Sequence, residues 1–187
     1  MLRIEMDVSG AAADAPEPEP VEGDPSLPEA VQRVSVFLEA SGVEACLHEF
    51  SEGTPTAEAA ARAVGCETDQ IVKSLIFICD AEPALVMVPG GSRADDAKVR
   101  EVTGATAVKI AKPAVVLDRT GFEVGGVAPF PLPQITTALC DHRLLNYPVV
   151  WAGAGSERHM VALAPHDLIR LAGARPADIG ARTPPSG

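Results

Sequence analysis

Hydrophobic and polar positions follow two periods along this chain. Val31, Val34, Phe37 and Leu38 recur at three- and four-residue spacing, which predicts a helix opening near Ser26 or Pro28 and ending at Gly42 as a left-handed cap. Ala45–Phe50 reads as a strand. Thr54-Pro55-Thr56 breaks the chain and caps a helix over Ala57–Val64 that Gly65 ends. Ile71–Cys79 is the strongest strand signal, joined by a turn over Asp80–Pro83 to a partner strand at Ala84–Val88. Helices are predicted over Ala94–Val102 and Pro113–Arg119, and strands over Thr106–Ile110, Ile135–Leu139, Val149–Ala152 and His159–Ala164. A final helix starts at Pro165, where a missing N–H costs nothing, and runs to Ala172. The elements are intermixed without a regular βαβ alternation, so the expected fold is a single α/β domain on a mixed sheet.

Within the strongest strand, Ile71, Lys73, Leu75 and Phe77 share one face, and Val72, Ser74, Ile76 and Ile78 the other. Both faces are apolar, which predicts a central strand covered on both sides. Lys73 breaks that pattern. A buried ammonium is costly, so its charge must reach water by snorkelling along the first turn of the strand, or line a pocket that receives an anionic or carbonyl oxygen. Gly125-Gly126-Val127-Ala128-Pro129-Phe130 is the second irregular segment. Paired glycines allow positive φ or close approach of the backbone to a ligand, and the same composition also suits a plain structural loop. His159, at a loop-to-strand junction, is a third candidate, either a group titrating near neutrality or a structural histidine.

Charge changes the picture of the ends. The 187 residues carry a formal charge of −11, which at face value argues against a general nucleic-acid binder. Residues 1–29 hold eight acids, one base and five prolines, and so contribute −7 of that charge. Such a composition does not offset chain entropy, and residues 1–26 are expected to be a disordered tail, with 181–187 similarly flexible and the folded domain at 27–180. Residues 93–119 are net +2. Four dispersed cysteines without a Cys-x-x-Cys pair or a Cys/His cluster give no zinc-site pattern, so neither metal nor cofactor is expected. No apolar run approaches the roughly 20 residues of a membrane span, and no secretory signal is visible, so a cytoplasmic location without membrane contact is expected.

Thr54-x-Thr56 before an Ala-rich helix, Asp69-Gln70-Ile71-Val72-Lys73-Ser74-Leu75, Thr120-Gly121-Phe122-x-Val124-Gly125-Gly126-Val127-Ala128-Pro129 and Leu132-Pro133 occur in an order that resembles the YbaK/EbsC-like family of trans-editing aminoacyl-tRNA deacylases. That family shares its domain with the editing insertion of bacterial prolyl-tRNA synthetases. The resemblance runs from about Pro28 to Ile179. It implies a strongly curved mixed sheet surrounded by helices, and hydrolysis of the ester joining a wrong amino acid to the 3′ end of a tRNA. A synthetase such as prolyl-tRNA synthetase becomes an expected partner. By the same resemblance Lys73, Gly125 and Gly126 are the catalytic candidates. Phe50, Thr54, Thr56, Val127, Ala128, Pro129 and His159 are the substrate-binding ones. Water is the implied nucleophile, unless the substrate side chain attacks its own carbonyl, as proposed for cysteine. Well-known Cys-tRNA(Pro) deacylases carry a tyrosine where Phe50 falls and an aspartate where His159 falls, so the amino acid removed stays open among small ones. A non-catalytic module that captures aminoacyl-tRNA or aminoacyl-adenosine and docks on a synthetase is the alternative reading, and hydrolysis of a free small ester a third.

Overall fold

A computed structural model of the chain describes residues 2–4, 24, 26–51 and 56–182. In chain order the elements are β1 (Leu2–Ile4), α1 (Glu29–Ser41), β2 (Ala45–Glu49), α2 (Ala57–Val64), β3 (Ile71–Cys79), β4 (Glu82–Pro89), β5 (Ser92–Ala94), α3 (Asp96–Thr103), β6 (Val108–Ile110), α4 (Pro113–Thr120), β7 (Thr137–Asp141), β8 (Val150–Ser156), β9 (His159–Leu163), α5 (Pro165–Ala172), β10 (Arg175–Ala177) and β11 (Gly180–Arg182). Short 3-10 turns at Thr68–Gln70 and His142–Asn146 precede β3 and β8.

The main sheet is mixed, in the order β1-β2-β9-β8-β3-β4-β7-β10, with β6 also on β3; β5 and β11 form a separate antiparallel pair. β3 is central, as its two apolar faces predict. On one face Val72 and Ile76 join the largest core cluster with Val31, Val34 and Leu38 of α1. On the other, Ile71 packs with Ala60 and Ala61 of α2, and Phe77 with Val99 of α3. Lys73 and Leu75 lie on that second face, between the residue covered by α2 and the residue covered by α3.

The two edges of β3 differ. β4 pairs with it antiparallel without interruption from Val72↔Pro89 to Cys79↔Glu82. The opposite edge is shared. β8 pairs parallel only at Ile71↔Trp151 and Val72↔Ala152, and β6 antiparallel only at Phe77↔Ile110 through Cys79↔Val108. Between them the sheet splits along Lys73, Ser74 and Leu75. Further along the same edge the Ala111 N–H donates to the Ile76 carbonyl. Strand alternation therefore turns the Ser74 main-chain groups toward the split as well.

Local chemistry explains the helix starts. The Thr56 hydroxyl accepts from the Ala59 N–H at the start of α2 (3.1 Å), and the Asp95 carboxylate accepts from the N–H groups of Ala97 and Lys98 at the start of α3. That cap moves the start of α3 from the expected Ala94 to Asp96, because Ser92–Ala94 pairs with β11 instead. The same pairing corrects the expected flexible C-terminus, since Gly180–Arg182 is strand; residues 183–187 lie outside the described residues. At the other end Leu2–Ile4, expected within the tail, pairs parallel with Ala45–Leu47 along the free edge of β2. The acidic, proline-rich stretch begins only after this strand. Residues 5–23 lie outside the described residues.

Candidate active site

The split in the sheet opens into a cavity of about 360 Å³. Its walls come from the start of α2 (Thr56, Glu58, Ala60), from β3 (Lys73, Ser74, Leu75), from the loop at Gly125 and Val127, and from β8 and β9 (Gly153, Ser156, His159). Lys73 is half-buried, and among the described residues its ammonium makes no hydrogen bond or ion pair. Burial pushes its pKa below the usual lysine value, with Arg93 acting in the same direction and Glu58 and Asp69 opposing it. The structure puts Lys73 in the wall of this cavity.

The 123–127 loop reaches the split through Gly125 and Val127. Gly125 has φ of 96°, a left-handed value that strains any side chain. A Cβ on Gly126 would sit 2.7 Å from the Ser156 Cα, and its carbonyl accepts from the Gly155 N–H (3.0 Å). The second glycine therefore serves the close approach of the loop to β8.

His159 is 3% exposed. Its Nδ1 lies within hydrogen-bond distance (2.7 Å) of the Ser156 Oγ, and that oxygen accepts from the Arg158 N–H (3.1 Å). Arg158 ties this turn to β2, its Nε donating to the Phe50 carbonyl and its Nη2 pairing with Glu49 at 2.9 Å. Burial lowers the His159 pKa, with Glu49 opposing and Arg158 reinforcing the shift, so the ring is neutral at pH 7. His159 Nε2 and Ser74 Oγ are enclosed without hydrogen-bond partners among the described residues. Two orphaned polar atoms on residues lining one cavity are an uncommon feature of a folded core and fit a site that a polar ligand completes.

Five sequence candidates thus surround one cavity: Lys73, Gly125, Thr56, Val127 and His159. Gly126 lies behind it, lining a groove on the α1 side. Phe50 packs beside Trp151 and the α2 cluster, Ala128 is fully buried in the main core, and Pro129 faces a separate groove near Arg33 and Arg170. Thr54 lies outside the described residues. Sequence reading passed over Glu58, Ser74 and Ser156. Ser74 adjoins the singled-out lysine, and Ser156 precedes His159 by three residues.

The family model described as an aminoacyl-tRNA editing domain matches residues 51–171, a span that contains every wall of the cavity. The chain belongs to the aminoacyl-tRNA editing domain family. A solved structure described as a candidate trans-editing enzyme for prolyl-tRNA synthetase matches this editing domain with a TM-score of 0.75 at 37% identity, over 83% of this chain and 99% of that one. The uncharacterized protein YwhH of Bacillus subtilis (strain 168) is 32% identical over 121 residues, 64% of this chain and 76% of its own length. A proline–tRNA ligase of Maridesulfovibrio salexigens is 34% identical over 102 residues, 54% of this chain and 17% of the ligase. The editing domain therefore corresponds to one segment of that much longer synthetase. Among its described residues no helix is long and apolar enough to cross a membrane, and no group of three His, Cys, Asp or Glu side chains could hold a metal ion.

Proposed function

We propose that this editing domain is a hydrolase that cleaves, in trans, the ester joining a small, wrongly attached amino acid to the 3′ end of a tRNA. The observation that carries the proposal is Lys73. It is a half-buried cation without an ion-pair partner among the described residues, set in the split of the sheet within the matched editing domain.

An aminoacyl ester is already activated, so holding it and polarising its carbonyl accelerate attack by water. Lys73 supplies the positive charge that polarises the carbonyl and stabilises the developing oxyanion. Gly125 and Val127 bound the aminoacyl side. The neutral His159 ring, oriented by Ser156, offers a nitrogen that takes or gives a hydrogen bond in the wall of the cavity. The cavity volume of about 360 Å³ accommodates an aminoacyl group and its ester linkage and leaves the body of the tRNA outside. Few phosphate contacts are then needed. This agrees with a chain of net charge −11 and predicts weak salt dependence and help from a synthetase in capturing substrate. Prolyl-tRNA is the carrier to test first, because the relatives include prolyl-tRNA ligases and a candidate trans-editing enzyme for that synthetase.

The direct experiment incubates the protein with tRNA(Pro) and other tRNAs charged with alanine, cysteine, serine or threonine and follows loss of the ester. Hydrolysis of at least one species well above its spontaneous rate is expected. Failure on all of them, under conditions where an established editing enzyme works, overturns the proposal. Saturable binding without turnover would replace hydrolysis by capture.

A further inference from the structure

Among the described residues that line the cavity there is one ammonium, Lys73, and one carboxylate, Glu58. Glu58 is the second residue of α2 and is itself exposed at the start of that helix. Hydrogen bonding at the helix start, by its own main-chain N–H and the Thr56 hydroxyl, holds its pKa below the usual carboxylate range against some desolvation, with smaller contributions from Lys73 and Arg62. The remaining polar walls are neutral: the Ser74 and Ser156 hydroxyls and the His159 ring. The described lining is therefore dipolar, with a cation on the floor strand and an anion at the helix start.

An aminoacyl ester has a matching charge pattern. Its carbonyl oxygen gains negative charge on attack, and one bond away its α-carbon carries an ammonium. A cation cannot rest beside Lys73 or gain charge–charge stabilisation from a neutral imidazole. Glu58 is the partner the cavity offers it. We propose that Glu58 binds the α-ammonium of the aminoacyl group, so that the site takes esters of free α-amino acids and discriminates against N-blocked ones. This rests on the deacylase reading above and names the substrate class within it. It also assigns the two charges separate tasks: Glu58 holds the end of the substrate that does not react, and Lys73 faces the end that does.

The test pairs two substrates that differ only at the amine, an alanyl-minihelix of tRNA(Pro) and its N-acetylalanyl counterpart. The wild-type protein is expected to prefer the free amine by about tenfold or more in kcat/KM, the scale of one charge-assisted hydrogen bond. Glu58→Gln keeps the size of the side chain and removes its charge. It is expected to raise KM for the free amine about tenfold, with a much smaller change on the N-acetyl ester, and so to erase most of the preference. Glu58→Asp, which keeps the charge, restores part of it, and a melting curve for each variant separates loss of binding from loss of folding. Equal wild-type rates on the two esters, or an equal loss on both in Glu58→Gln, overturn the assignment of Glu58 and leave the deacylase reading standing. Hydrolysis of neither ester by the wild type, together with no activity on any other mischarged tRNA, overturns both.

Discussion

The two edges of β3 carry different burdens. On the β4 edge every position from Val72 to Cys79 is paired, and the sheet continues through β7 to β10. On the other edge two short partners leave Lys73, Ser74 and Leu75 unpaired, and the space between becomes the cavity. Backbone groups in a core are normally satisfied by their neighbours, so a gap in a central strand is tolerated where water or a ligand can enter. The closed edge fixes the position of Lys73, and the open edge leaves a cavity beside it. Substitutions on the open side should then change chemistry with little loss of stability, and those on the closed side the reverse.

Lys73→Ala tests the open edge with the largest expected effect. Removing a preorganised charge from a site that stabilises an oxyanion costs on the order of 100- to 1000-fold in rate. Deacylation should fall by that factor, while the thermal midpoint changes by a few degrees at most, because the half-buried ammonium has no hydrogen bond or ion pair to lose among the described residues. Lys73→Arg should rescue poorly, since a planar guanidinium does not occupy the position of a compact ammonium. Near-wild-type turnover in Lys73→Ala removes Lys73 from the mechanism.

Asp141→Asn is the counterpart beyond the closed edge. Asp141, at the end of β7, is 0% exposed. Its carboxylate accepts from Arg143 through Nε (2.8 Å), Nη2 (3.0 Å) and the main-chain N–H (3.0 Å), and from the Gly180 N–H (2.7 Å), joining β7 to the start of β11. Burial alone would raise its pKa; the Arg143 hydrogen bonds and charge and the Gly180 N–H outweigh it, and the pKa is lowered. A group with a depressed folded-state pKa stabilises the fold above its unfolded value, near 4, and that contribution is lost as pH falls through the folded-state pKa. Asp141→Asn should cost about 3 kcal/mol at pH 7 in chemical denaturation, and this difference should shrink as the pH is lowered below about 4. Activity per folded molecule should be unchanged. A drop in activity equal to that of Lys73→Ala would deny that the two sides divide stability from chemistry.

What the sequence made legible follows the same division. The core of the sheet could be read because β3 and β4 are long enough to show a period, and Lys73 could be found because one charge interrupts it. Gly125-Gly126 was visible as a pair, although its two members have different tasks, one for positive φ and one for packing on Ser156. The split itself had no sequence signal. It depends on β6 and β8, which arrive about 30 and 80 residues after β3 and each cover only part of its edge. Glu58 was hidden for a related reason, since an acid in the first turn of a helix is commonplace and only the tertiary placement of Lys73 opposite makes it distinctive. Motif adjacency also overreached. Ala128 and Pro129 follow Val127 directly, yet the chain turns after it, sending one into the core and the other to a different groove. Three-residue strands such as β1, β5, β10 and β11 are too short for any period to announce them.

The smallest effect belongs to the turn that sets the register of the closed edge. Asp80 and Ala81 link β3 to β4 in two residues, both with positive φ, 50° and 85°. This is the geometry that matches the twist of a tight hairpin, and it favours asparagine or aspartate followed by glycine. Asp80 suits it, and its carboxylate accepts from the Thr106 N–H, the Thr106 hydroxyl and the Ala107 N–H, which fixes the turn against the chain entering β6. Ala81 does not suit it, because a Cβ in the left-handed region costs roughly 1–2 kcal/mol. Glycine relieves that strain but adds unfolded-state freedom worth about 0.5–1 kcal/mol. The strain term is the larger, so Ala81→Gly should stabilise the protein by about 0.5 kcal/mol, a rise of about 1–2 °C in Tm for a chain of this size. Deacylation should not change, because the register that places Lys73 opposite Val88 is already complete. A fall in Tm would mean that the hairpin holds Ala81 without strain. A change in kcat would mean that the closed edge still moves, and that Lys73 is not fixed by it.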